Sequence, residues 1–209
     1  MTAAHEQQPA PAARPARPMR ADARRNRARV LEAARAVFAE EGLAVPLDEI
    51  AARAGVGAGT VYRHFPTKEA LFEAVVTDRI EALTELGRAS LAAVADGAEP
   101  GATFFDYLAV MVADAESKVD LAEALVGAGV ELQQTTLSAA GVLRAVLGEL
   151  LVGAQQAGAV RTDVDAADLH AIVGGAVAAE RARVAGAVPG RLARMLCDGL
   201  RVAHARSGS

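Results

Sequence analysis

Thr60, Tyr62, Arg63 and His64 stand within five residues of one another, and Lys68 follows one helical turn later. Hydroxyl, guanidinium, imidazole and ammonium groups at that spacing can donate hydrogen bonds to base edges and to phosphate oxygens. They sit in the stretch LDEIAARAGVGAGTVYRHFPTK, residues 47–68. Leu47, Ile50, Ala51 and Ala54 recur at helical spacing, the turn at Ala54 to Gly57 breaks the phase, and Val61 and Phe65 resume it. With Val61 and Phe65 inward, the step of about 100° per residue turns Gly59, Thr60 and Arg63 outward and puts Tyr62 and His64 on the flanks. Two short helices sharing one small core, the second with a slim polar outer face, predict a helix-turn-helix that lays its second helix in a DNA major groove. Gly59 would let the backbone come close to the duplex.

Those two helices need a frame, and the neighbouring sequence supplies it. Residues 21–41 read as an amphipathic helix with Val30, Leu31, Ala34, Val37 and Phe38 on one stripe and Gly42 as its stop. Thr67 is placed to cap a long helix in which Leu71, Phe72, Val75, Val76, Ile80 and Leu83 trace a single face.

Residues from about Arg24 to Val76 resemble the DNA-binding domain of the TetR family of transcriptional regulators. The segments that carry the resemblance are LEAARAVFAEEG, DEIAARAGV and GTVYRHFPTKEALFEAVV. It implies that the second helix of the motif enters the major groove, and that Tyr62, His64 and Lys68 touch phosphates. Thr60 falls where family members contact a base or phosphate, and Arg63 at the position that often tunes sequence choice. An arginine there suits guanine O6 and N7.

The chain departs from the family pattern at three places. Gly57 stands where Ser or Thr usually caps the recognition helix, Ala58 where a larger residue is common, and Pro46 where a hydroxyl often caps the preceding helix. A glycine cap costs only a few tenths of a kcal/mol relative to serine, and proline suits a first helical turn. With Ala58 and Gly59 nearly bare, base reading is expected to rest on Thr60, Arg63 and Arg53, with DNA shape and the amino-terminal arm contributing.

That arm, residues 1–20, is rich in Pro, Ala and Gln without apolar periodicity and reads as disordered when free. Arg14, Arg17, Arg20, Arg24, Arg25, Arg27 and Arg29 form a basic run opposed only by Asp22. Of these, Arg20, Arg24 and Arg25 are the candidate arm contacts to phosphate or a minor groove. Residues 1–79 carry a charge balance of +2 and residues 80–209 one of −6, so the acidic total hides a locally basic end.

The 209 residues are 52% hydrophobic and alanine-rich, with no tryptophan. This composition suits an all-α protein of about nine helices. The expected division is an arm (1–20), a helix-turn-helix domain (21–66) and a larger helical effector-binding and dimerisation bundle (67–209). The amino terminus has no apolar core of a secretory signal, and no uncharged apolar run reaches membrane-spanning length. Cys197 is the single cysteine, which argues for a reducing cytoplasm and a buried structural thiol.

Turn signals in the second half fall near residues 96–101, 117–120, 127–134, 158–165 and 186–190. AGAVRTDVDAADLHAIVGG resembles the entry to the penultimate helix of many TetR-family regulators. The resemblance implies a four-helix dimer interface from residues 166–184 and 191–204, with Gly174, Gly175 and Ala178 allowing close approach and Leu196 and Leu200 contributing. A twofold dimer would meet an inverted-repeat operator in double-stranded DNA, and a small-molecule effector would release it. Candidate pocket residues are Phe104, Phe105, Tyr107 and Met111, with Gln133 and Gln134 as polar anchors; an aromatic stripe is also what core packing looks like.

An enzyme finds little support, because the four histidines are scattered and no metal-ligand spacing or nucleophile elbow occurs. GVGAGT follows a helix rather than a strand and lacks the Lys-Ser/Thr ending of a phosphate loop. No cofactor is expected. The other open reading is a ligand-binding helical protein with lost or nonspecific DNA binding.

Overall fold

The apolar stripe at residues 30–38 is the inner face of a helix that begins at Arg17, so the boundary expected after Arg20 moves toward the amino terminus. Pro18 does not prevent this, since proline is tolerated in a first turn where no intrahelical donor is required. The computed structural model describes residues 17–113, 133–181 and 190–202. Eight α-helices are found among them: α1 (Arg17–Glu41), α2 (Leu47–Ala54), α3 (Ala58–His64), α4 (Lys68–Ala95), α5 (Pro100–Ala113), α6 (Gln134–Gln156), α7 (Ala166–Arg181) and α8 (Arg191–Leu200). A short 3-10 turn, Gly42–Ala44, follows α1. The protein is all-α, as the composition predicts. Residues 1–16 of the arm and the expected break at 117–120 lie outside the described residues, as does most of the break at 127–134.

Local chemistry explains the ends of the elements. Gly42 at φ 74° and Gly55 at φ 62° take the left-handed conformation that stops α1 and α2. Thr67 caps α4, its hydroxyl oxygen accepting the Ala70 N–H at 3.1 Å. Glu99 does the same for α5 through the Gly101 and Ala102 N–H groups, which hold its carboxyl below the usual carboxylate range. Asp165 accepts from Ala167 and Asp168 N–H, each at 2.8 Å, at the start of α7.

Apolar side chains collect in two cores. The first joins Val30, Leu31, Ala34, Val37 and Phe38 of α1, Leu47, Ile50, Ala51 and Ala54 of α2, Val61 and Phe65, and Leu71, Phe72, Val75 and Val76 of α4. The second gathers α5, α6, α7 and α8, with Leu83 and Leu91 of α4 packed against it. α4 therefore belongs to both. Where it meets α6, Gly87 is required: a Cβ there would stand 2.5 Å from Val146 Cγ1. α6 is by length and composition alone apolar enough to cross a membrane, but Arg144 and Glu149 interrupt it and Val146, Leu147, Leu150 and Leu151 pack into the second core.

The last helix ends at Leu200, short of the expected His204, because Arg201 turns extended and pairs with Val160 in an isolated antiparallel bridge. Arg161 N–H donates to Leu200 O at 3.0 Å and Val202 N–H to Ala159 O at 3.2 Å. The Arg201 guanidinium sits 4.0 Å from the centroid of the Phe105 ring, a cation–π contact that fastens this end to α5. Cys197 is buried in the second core, and burial pushes its thiol pKa up. In the native protein it should resist iodoacetate at neutral pH and react only on unfolding. Mass spectrometry of the folded chain showing prompt carboxymethylation would contradict that burial.

Candidate nucleic-acid interface

Val61 is fully buried and Phe65 nearly so, which fixes the roll of α3. Gly59 and Arg63 are exposed, as the spacing predicts; Thr60, expected outward, is half-buried, as are Ala58 and Lys68, while Tyr62 and His64, expected on the flanks, are exposed together with Gly57. Tyr62 is 46% exposed, unusual for a large aromatic unless a partner covers it. Gly57 takes the N-cap position with extended backbone and no side-chain cap. A Cβ placed at Gly57 or Gly59 would meet nothing within 4 Å, so the protein itself does not demand glycine there. The bare start of α3 is open space that a DNA backbone could fill.

Arg53 is a different matter. Its guanidinium bonds Glu40 at 3.3 Å, Glu49 at 2.9 Å and Glu41, and the Glu41 and Glu49 hydrogen bonds raise its pKa. Three carboxylates surround the charge expected to read bases, and two of them come from the end of α1. The sequence hides this convergence because those partners lie 12 and 13 residues away.

Two further arginines of the basic run lie beside the ends of α3. Arg27 lies with its guanidinium 5.8 Å from the Phe65 ring centroid, at the carboxyl end of α3. Arg29 bonds Asn26 at 2.9 Å, and its Nη1 lies 4.0 Å from where a Cβ on Gly55 would stand, just before α3. They flank the helix at its two ends. Arg24 and Arg25 are exposed on α1, Arg25 paired with Asp22, and Arg20 falls in the opening turns of the same helix. Arg27 and Arg29 both belong to the basic run read from the sequence, and the packing of α1 brings them beside Phe65 and Gly55.

In the second core the expected pocket residues separate. Phe104, Phe105, Tyr107 and Met111 are buried, with the two phenylalanine rings edge-to-face at 5.3 Å. Tyr107 donates to Leu83 O at 3.0 Å, and desolvation pushes its pKa up to about 12. Gln133 and Gln134 are exposed at the start of α6, beside Glu73. Glu73 and Leu83 are ten residues apart on α4, roughly 15 Å at 1.5 Å per residue, so the glutamines do not anchor a cavity walled by those aromatics. The aromatic stripe is core packing. An open groove of about 340 Å³ between α4 and α5 is lined by Leu86, Ala89, Ser90, Thr103, Asp106 and Tyr107, among others. Tyr107 alone of the expected residues reaches it.

The expected dimer residues divide likewise. Gly174, Gly175 and Ala178 are exposed on α7, beside Ile172 at 42% exposure. Leu196 and Leu200 instead face inward with Ala193 and Cys197, because α8 has one apolar face and packs it in its own protomer. Met195, 57% exposed, is the apolar side chain that α8 presents outward.

A three-helix head with an outward polar recognition helix, set on a second helical bundle, places the molecule among helix-turn-helix proteins. The chain belongs to the TetR family. Residues 30–75 match the family described as bacterial regulatory proteins, tetR family, and residues 99–202 match the SbtR-like transcriptional regulator C-terminal domain. The TetR transcription regulatory protein from Mycobacterium vanbaalenii is 49% identical, with a TM-score of 0.69 over 88% of this chain and 100% of that one. A TetR transcriptional regulator from Streptomyces coelicolor is 32% identical, with a TM-score of 0.63 over 84% and 98%. An HTH-type transcriptional regulator of Staphylococcus aureus is 46% identical over 54 residues, 25% of this chain, so the match spans only 29% of that curated relative.

Proposed function

We propose that the protein is a homodimeric regulator of transcription that represses by binding an inverted-repeat operator and lets go when a small apolar or amphipathic effector binds. The observation that carries this reading is the exposed polar face of α3, rolled outward by buried Val61 and Phe65. Arg63 and Thr60 are the base-reading groups, Tyr62, His64 and Lys68 grip phosphates, and Gly57, Ala58 and Gly59 keep the helix slim. Arg27 and Arg29 join the phosphate contacts, with Arg24, Arg25 and Arg20 further along α1. Arg53, surrounded by carboxylates, orders the head and leaves base reading to α3.

Exposed Ile172, Gly174, Gly175, Ala178 and Met195 support pairing with a second copy. The α4–α5 groove is open to solvent, but its apolar walls with Ser90 and Asp106 to bond a polar group support an effector that is apolar or amphipathic. The protein works in the cytoplasm, by binding alone and without catalysis.

Fluorescence anisotropy on duplexes from DNA upstream of the coding region, at two salt concentrations and with random duplex as competitor, tests the reading. Competitor-resistant, salt-sensitive binding to an inverted repeat is expected; weak, sequence-blind binding would favour a ligand-binding protein that has lost its DNA function. Lys68→Ala should weaken binding to all sequences alike and lower the salt slope by about one for each phosphate contact removed. A loss confined to the preferred sequence would take Lys68 off the phosphate.

A further inference from the structure

Glu73 lies on the half of α4 that packs into the first core, yet its carboxylate reaches the start of α6, the helix that packs into the second. It is only 6% exposed. Its Oε1 accepts the Gln133 N–H at 2.5 Å and the Thr136 hydroxyl at 2.8 Å, both at the start of α6. The Thr77 hydroxyl, one turn along α4 from Glu73, lies 2.8 Å from Thr136 Oγ1 and 2.9 Å from Glu73 O. Thr136 has one proton to give and Glu73 takes it, so Thr77 donates to Thr136 or to the carbonyl.

The α6 terminus needs this partner. Gln133 occupies its N-cap position and makes no side-chain cap, and Glu73 accepts the N-cap N–H from another helix, the bond that a glutamate or glutamine three residues on makes in a capping box. A buried carboxylate is stable only where donors replace the lost water, and these donors exist only in one register of α4 against α6. Apolar packing between two helices tolerates small slides; a buried bond set does not. On the same stretch of α4, Asp78 bonds Arg35 of α1 at 2.8 Å. Residues 73–78 thus tie α1 and the reading head to one side of α4 and α6 to another.

We infer that Glu73 is a positioning residue: with Thr136 and Thr77 it pins α4 to the start of α6 and so fixes the angle at which the DNA-reading head stands on the effector bundle. Its consequence for operator choice rests on the proposed DNA function, but the geometry can be tested without DNA. Spin labels on Ala52→Cys of α2 and Val152→Cys of α6, both exposed positions, in a Cys197→Ser full-length chain diluted with unlabelled chain, report head-to-bundle distance within one protomer by pulsed electron resonance.

The parent should give one narrow distance. Glu73→Leu and Thr136→Val should each shift or broaden it, while Glu73→Gln, whose amide oxygen still accepts both bonds, should restore the narrow distribution. An unchanged distance in both disrupting variants overturns the inference, as does a failure of Glu73→Gln to restore it when its melting temperature matches the parent. On operator duplexes selected from a random library, with the half-site spacer one base pair shorter or longer, the disrupting variants should lose about fivefold or more of the parent's preference for one spacer. Their affinity for a single half-site should not change. No binding by the parent would count against the DNA reading and leave the distance result to decide the joint.

Discussion

Arg63→Ala should lower affinity for the preferred operator by about 1 to 3 kcal/mol for each half-site, and much less for random duplex. Arg63 is exposed on the face of α3 opposite Val61, two residues on and so roughly 200° around the helix from the buried side chain that sets its roll. A guanidinium there can make two parallel bonds to one guanine edge, which no phosphate contact imitates. Two half-sites a helical turn apart share no partners, so their losses should nearly add. In a dimer the total reaches about 2 to 6 kcal/mol, from about thirtyfold to roughly twenty thousandfold. Anisotropy titrations of the purified variant on operator and random duplexes at one salt concentration measure both losses. Equal falls on the two would make Arg63 one more backbone contact and shift base reading to Thr60.

The contacts of Arg53 argue against the same role for it. An arginine held by Glu40, Glu41 and Glu49 would have to leave three charge-assisted bonds to reach a base, whereas Arg63 stands exposed on the outer face of α3. Periodicity alone cannot tell the two apart. What it can tell is which side chains turn inward, since 3.6-residue spacing and burial are two views of one constraint. The apolar residues read at 30–38, 47–54, 61, 65 and 71–76 are all buried in the first core. Capping chemistry was equally legible where its partners are three residues away, as at Thr67.

Contacts between distant segments were not legible. The bridge of Val160 with Arg201 ends α8 early, and neither residue carries a local signal for it. Leu196 and Leu200 read as interface because a helix with one apolar face can pack it within its protomer or against a partner, and only the three-dimensional seat decides. The aromatic stripe of α5 and the glutamines of α6 looked like one cavity from composition, but their attachment points on α4 hold them apart. Helix faces are written in short-range spacing; the choice of what each face meets depends on loop paths that spacing does not encode.

Phe72→Ala should bring the largest loss of stability, about 3 to 5 kcal/mol, and it should be uneven across the molecule. Phe72 is 1% exposed and meets Phe38 edge-to-face at 5.3 Å, so it closes the first core between α1 and α4. Removing the ring leaves a cavity that neither long helix can collapse into without losing Val75 and Leu71 from their seats. The second core contains no part of Phe72. Hydrogen exchange should therefore rise in α1, α2 and α3 far more than in α6 and α7, and operator binding should fail at temperatures where the bundle remains folded. Uniform acceleration of exchange in both cores would mean that α4 unites them into one cooperative unit, and the head could not then move on the bundle without unfolding it. A head that loosens alone shows the reverse: the two cores are separate cooperative units joined through α4, which is the condition a ligand needs in order to move one against the other.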